Sequence, residues 1–380
     1  MSVAWLIIWV FLAVMLFVLY DNYKMNGFNL KKSRLTRGGI YLTRFDLVAI
    51  FFCFSFAFFC ATRSINSYDT FVYEDYYETI TSMDFFTDEV IYNYKPGFEL
   101  LTKFLCNILR LDFRTFLFAI ALLNNVVVYL VVRNSKFGGV YSYILYVFLL
   151  GFFYNFCVLR QALAITMVII SFISLDKSKI RALIYCYLAT FFHETAWVIL
   201  AILFLFCIKR KLLKKWALYS ILGASVINYI FNISANILDY VFRVMHKYVP
   251  APLLGKYEYY FIDVKSERNF SLFYMLYFVI AFFIVRNVYM GQKQENSRIN
   301  VSYVLTEMSV LGTVILSFFS TFSIVSRVTD YLILIPYILL LPDVIYKYKK
   351  NRKCIYMFGC ILALLLYLKI FISNATLRLF

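Results

Sequence analysis

The residues best suited to chemistry in this chain are Arg160, Arg327, His193, Glu194 and Asp69. An arginine opening a helix joins a planar guanidinium fork to free backbone N–H groups, a combination that suits the oxygens of a diphosphate. Arg160 is followed by Gln161, whose amide adds another donor, and Arg327 is followed by Asp330 and Tyr331. Two such arginines could neutralise a departing diphosphate without a metal ion. His193, Glu194 or Asp69 could then take a proton from an attacking hydroxyl. Each residue also has a plainer use: an arginine at a membrane boundary can snorkel, a histidine can satisfy a turn, and Asp69 is one acid among many.

The elements that must position these groups are set by composition. Of 380 residues 63% are hydrophobic, and the mean hydropathy is +0.76. No compact soluble core absorbs that much apolar surface, so the chain reads as a polytopic membrane protein. The apolar runs are long and nearly free of charge, which predicts helices rather than the short alternating strands of a barrel. The fold class expected is therefore all-α, a single polytopic domain over 1–380 with about twelve transmembrane helices. A glycosyltransferase type C-like arrangement is one option. The first run, 3–20, lacks a cleavage pattern and reads as a transmembrane helix rather than a removable signal.

Spans are expected near 3–20, 45–61, 113–132, 140–154, 160–175, 181–192, 196–208, 216–232, 271–289, 301–321, 328–345 and 354–373. Their connections alternate in charge. One set holds Lys31, Lys32, Arg34 and Arg37, then Lys209 to Lys215, then Lys347 to Lys353, and it carries most of the 38 basic residues. The positive-inside rule makes this set cytoplasmic and puts Arg160 on the outer face. The net charge of +17 then reports topology and anionic headgroups, not nucleic acid. The stretch 181–208 tests the scheme: one tilted span would invert every later loop, whereas a hairpin or re-entrant pair broken at His193-Glu194-Thr195 keeps the basic loops inside.

Two long connections, 62–112 and 233–270, are expected outside. The first mixes acids with tyrosines and then opens an amphipathic segment, 98–111, at Pro96-Gly97. Carboxylates accept hydrogen bonds from sugar hydroxyls and aromatic faces stack on sugar rings, so Tyr76, Tyr77, Glu99 and Tyr331 are candidates for glycan contact. Interfacial anchoring is the alternative use of such tyrosines. The eight cysteines lack CxxC spacing and two histidines are too few for a histidine-based metal cluster, so no metal or cofactor is expected. Glu307 lies within a span and reads as a helix-packing or proton-linked carboxylate.

Several short motifs occur in a fixed order: Tyr68-Asp69 to Tyr76-Tyr77, the Pro-Gly-Phe-x-Leu-Leu stretch Pro96 to Leu101, Arg160-Gln161-Ala162-Leu163-Ala164, Phe192-His193-x-x-Ala196, and Arg327 followed by Tyr331. In this order and spacing the chain resembles the EpsG-like branch of the Wzy-type polysaccharide polymerases, which make O-antigen, capsule and exopolysaccharide. One departure is Lys95, where relatives often carry an acid before the Pro-Gly step; Glu99, Asp69 or Glu194 would then have to supply a base. The resemblance implies a bacterial cytoplasmic (inner) membrane enzyme with its site facing outward. It would move a growing glycan from undecaprenyl diphosphate to an incoming lipid-linked repeat unit, alongside a flippase and a chain-length regulator. A single-addition polyprenyl-phosphate-sugar glycosyltransferase, a lipid-linked oligosaccharide flippase and a membrane acyltransferase are the competing readings.

Overall fold

A computed structural model describes residues 44–63, 69–83, 95–133, 139–208, 213–234, 272–290, 301–319 and 327–347, with isolated positions between them. The expected spans 3–20 and 354–373 and most of the 233–270 connection lie outside the described residues. Every regular element among the described residues is a helix. The chain divides into two compact units, one made of residues 1–167, 191–193 and 348–380 and the other of 168–190 and 194–347.

In the first unit, helix α1 is Arg44–Ala61, α2 is Thr70–Thr81 and α3 is Pro96–Lys103, which runs on into a π-helical turn, Phe104–Ile108. Helix α4 is Phe113–Arg133. A longer rod follows, made of α5 (Val140–Tyr146), a π turn (Val147–Gly151) and α6 (Phe152–Cys157), and α7 (Leu159–Ser174) begins after a break at Val158 and passes into the second unit from Val168 on. The segment 70–81, treated in sequence as part of a long loop, is helical because Tyr73, Tyr76 and Ile80 recur at helical spacing and bury one face.

Local chemistry accounts for the ends of these helices. Pro96 opens α3, where its missing N–H costs nothing. Asp112 precedes α4: its carbonyl accepts from the Phe116 N–H at 2.8 Å, its carboxylate accepts from the Thr115 hydroxyl, and Arg133 completes the last turn. Helix α1 is apolar on both sides. Phe52, Cys53 and Phe56 are buried, while Phe51 and Phe58 remain 66% and 60% exposed. An outward face this greasy is compatible with a lipid neighbour.

The second unit holds α8 (Lys179–Thr190), α9 (Ala196–Ile208), α10 (Lys215–Phe231), α11 (Leu272–Met290), α12 (Val301–Phe319), and α13 (Ile335–Lys347) preceded by a π turn, Asp330–Leu334. Helices α8 and α9 fold back on each other. Lys179 at the start of α8 donates to the carbonyl of Cys207 near the end of α9 at 2.6 Å, and the rings of Tyr187 and Trp197 meet at 6.0 Å. The stretch 181–208 is thus a hairpin and not one tilted helix, with the break at Phe191–Thr195. Glu307 is a packing carboxylate: it accepts from the Leu213 N–H at 3.2 Å and the Tyr289 hydroxyl at 3.3 Å. Gly312 lets α12 approach the Asp330–Leu334 turn so closely that a Cβ there would lie 2.6 Å from Ile333 and 2.8 Å from Leu332. Among the described residues, α4 and α12 are long and apolar enough to cross a membrane.

Candidate functional site

The break between α6 and α7 is the feature that presents Arg160. Val158 adopts φ −134° and ψ 69°, which ends one helix and starts the next, leaving Arg160 in the first turn of α7. Asn155 holds this break from inside. Its side-chain amide donates to the Gly151 carbonyl at 2.7 Å, its side-chain oxygen accepts from Asn124 at 3.2 Å, and its backbone carbonyl accepts from Arg63 at 2.7 Å. Thr166 extends the network to the side-chain oxygen of Asn124 at 3.2 Å. A buried amide satisfied on so many sides is expensive to move, which gives Arg160 a rigid base.

Arg160 and Asp69 both act on the same phenol, that of Tyr73. Arg160 acts on it as an attracting charge, and Asp69 acts on it as an opposing one. Burial dominates and pushes the Tyr73 hydroxyl above its ordinary value, with the Arg160 guanidinium pulling it partly back. Tyr73 therefore stays protonated at neutral pH and is not a base. Gln161 is buried beside Arg160 and its amide lies 3.4 Å from the Tyr154 hydroxyl.

The Pro-Gly segment and the His193 segment also meet in this unit. The N–H of Gly97 donates to the Phe191 carbonyl at 2.9 Å, and Phe192 packs on an apolar cluster formed by Tyr73, Tyr76, Ile80, Phe98, Leu159 and Leu163. His193 is half-buried and directly follows Phe192. Three of the five ordered motifs, with Phe192-His193 of a fourth, thus lie within one unit, although they are spread from Asp69 to His193 in sequence.

The glycan candidates are placed as follows. Tyr76 is buried and stacked on Phe98 with centroids 5.9 Å apart. Tyr77 packs on Phe113 and Phe116, and its hydroxyl donates to the Leu111 carbonyl. Glu99 pairs with Lys103 at 2.9 Å, one turn along α3. In the other unit, Glu194 is exposed, Arg327 is half-buried and Tyr331 is fully buried at the π turn. Arg160 and Arg327 belong to different units.

Arg63 was not singled out from sequence. It is the last described residue before Ser64, lies just beyond an apolar run, and is nonetheless 2% exposed. Arg114 joins it from α4, donating to the carbonyl of Ala61 at 3.0 Å and to that of Arg63. An arginine immediately after a span on the non-basic face is the signal that the sequence carries for it.

The family profile described as the EpsG family matches residues 46–379. The chain belongs to the EpsG family, an assignment that marks an exopolysaccharide-related membrane protein. No curated protein and no solved structure matches it.

Proposed function

We propose that this protein is a polysaccharide polymerase of the Wzy type. It transfers a growing glycan from undecaprenyl diphosphate to the hydroxyl of an incoming lipid-linked repeat unit, on the outer face of the bacterial cytoplasmic membrane. About twelve helices cross the bilayer in this reading. The observation that carries it is the gathering of Arg160 and Asp69 about the protonated Tyr73, beside a helix start, in a member of the EpsG family.

The chemistry balances simply. The bond between the anomeric carbon and the diphosphate oxygen breaks, the acceptor oxygen bonds to that carbon, and the hydroxyl proton passes to a base. Arg160, with Gln161 and the first N–H groups of α7, holds the diphosphate and stabilises the charge it gains. Arg327, at the start of a helix in the other unit, is a separate candidate for diphosphate contact. Asp69 is the leading base because it shares the Tyr73 neighbourhood with Arg160, and His193 and Glu194 are the other candidates. Tyr76, Tyr77 and Glu99 in the first unit, and Tyr331 in the second, are the candidates for glycan contact.

The test is incubation of the purified chain with its own lipid-linked repeat unit, followed by separation of products by length. Wild-type protein yields a ladder, while Arg160→Ala leaves single-repeat lipid. A product extended by one addition only would favour a single-addition glycosyltransferase, and a normal ladder from Arg160→Ala would remove that arginine from the site.

A further inference from the structure

The guanidinium of Arg63 is buried, yet only part of it is used. Its Nη1 donates to the Asn155 carbonyl at 2.7 Å. Its Nε and Nη2 are closed off from solvent and meet no hydrogen-bond acceptor among the described residues. The groups that act on it most strongly are Cys60, Cys157, Tyr73 and Arg114, and none of these is a carboxylate. Arg114 is itself a cation, so the two guanidiniums repel each other. Burial also pulls Arg63 below its ordinary value, although an arginine keeps its charge at neutral pH.

Three N–H bonds on Nε and Nη2 without acceptors, next to a like charge, are a costly arrangement for stability alone. Arginine offers its Nε and Nη2 edge as a flat fork that matches two oxygens of a phosphate. Arg63 and Arg160 also share a neighbour, the Tyr73 phenol. We infer that Arg63 is a second phosphate ligand within this unit, presenting Nε and Nη2 to one phosphate of a polyprenyl diphosphate while Arg160 holds the other across Tyr73. Nη1 stays on Asn155, so one side chain fixes the helix break and grips the substrate together. An incoming anion also removes the unrelieved repulsion between Arg63 and Arg114. This assignment rests on the polymerase reading and names a ligand that the reading alone does not require.

The experiment measures binding of undecaprenyl diphosphate to the purified full chain in detergent micelles, with undecaprenyl monophosphate as the second probe. Arg63→Lys keeps a charge and one donor for Asn155 but loses the fork. It is expected to melt near the wild-type temperature and to bind the diphosphate about tenfold more weakly or worse, while its monophosphate affinity changes little. Equal loss for both probes, or wild-type diphosphate affinity in a folded Arg63→Lys protein, overturns the assignment. Arg160→Ala separates the two levels: if it binds diphosphate as wild type does, the polymerase site itself is wrong, whereas loss in Arg160→Ala with none in Arg63→Lys refutes Arg63 only. Should Arg63→Lys fail to fold, a photoreactive diphosphate analogue on wild-type protein decides. Cross-links within residues 60–73 support the assignment, and cross-links confined to other segments reject it.

Discussion

Gly97 and Phe191 are joined backbone to backbone at 2.9 Å, and a Cβ at position 97 would stand 2.8 Å from the Phe191 carbonyl oxygen and 2.9 Å from its Cβ. Glycine at this position is what allows the Pro-Gly segment to lie against the segment that carries His193.

Gly97→Ala is therefore expected to force the two segments apart, at a cost of about 1–3 kcal/mol in stability. Gly223→Ala is its control. That glycine lies inside α10 with nothing within 4 Å of an added Cβ, and alanine there should be neutral or stabilising by up to about 1 kcal/mol. Thermal melts of the two variants check the contrast, and equal behaviour would dismiss the close contact.

Asn155→Ala should lower stability by about 1–3 kcal/mol, because it strands the Asn124 amide and the Gly151 carbonyl in a buried place. A loss of polymer beyond what the melting shift explains would link the Asn155 network to the aim of Arg160. Chain-length gels run below the melting temperature separate the two effects.

Glu307→Gln is expected to keep full ladder formation. The Gln side-chain oxygen can still accept from Leu213 or Tyr289, and the carboxylate is used for packing. Glu307→Ala should melt lower by the cost of two lost acceptor contacts. Loss of activity in a well-folded Glu307→Gln protein would restore a proton-linked role.

Asp112 gives a pH dependence with a defined sign. The Thr115 hydroxyl, joined by the N–H groups of Thr115, Asp112 and Arg114, holds its carboxyl below the ordinary value against the opposing effect of burial. A depressed acid stabilises the fold above its unfolded value of about 3.9 and loses that contribution as pH falls through the lower folded value. The melting difference between wild type and Asp112→Ala should thus be flat from neutral pH down to about 5 and shrink below about 4. A difference that grows on acidification would contradict the cap.

Sequence made the helices legible where the apolar runs were long and bounded by charge. The expected spans 113–132, 196–208 and 216–232 differ from the helices Phe113–Arg133, Ala196–Ile208 and Lys215–Phe231 by a residue at most at either end. The hairpin was legible because His193-Glu194-Thr195 is too polar for the middle of a span. Thr70–Thr81 was hidden, since its acids and tyrosines resemble a solvated loop until Phe98 and the start of α7 are present to cover Tyr73 and Tyr76. The site was legible in its parts. Asp69 and Arg160 could be named, and Asp69 is one helical turn from Tyr73, but the approach of Arg160 to Tyr73 depends on how α2 packs, which no spacing in the sequence encodes. For Arg63 the place directly after a span is visible in sequence, but the Asn155 carbonyl that receives it is not.

The π turn Val147–Gly151 carries a last consequence. A π turn is one residue longer than an α turn, so everything after it is rotated by about 100° from the face that Tyr143 and Tyr146 define. Deleting any one residue from 147–151 would restore a regular helix, swing Asn155 off the interior, and turn the Val158 break with it. The direction in which Arg160 points is in this sense a matter of counting: it is fixed by the number of residues upstream as much as by their identity.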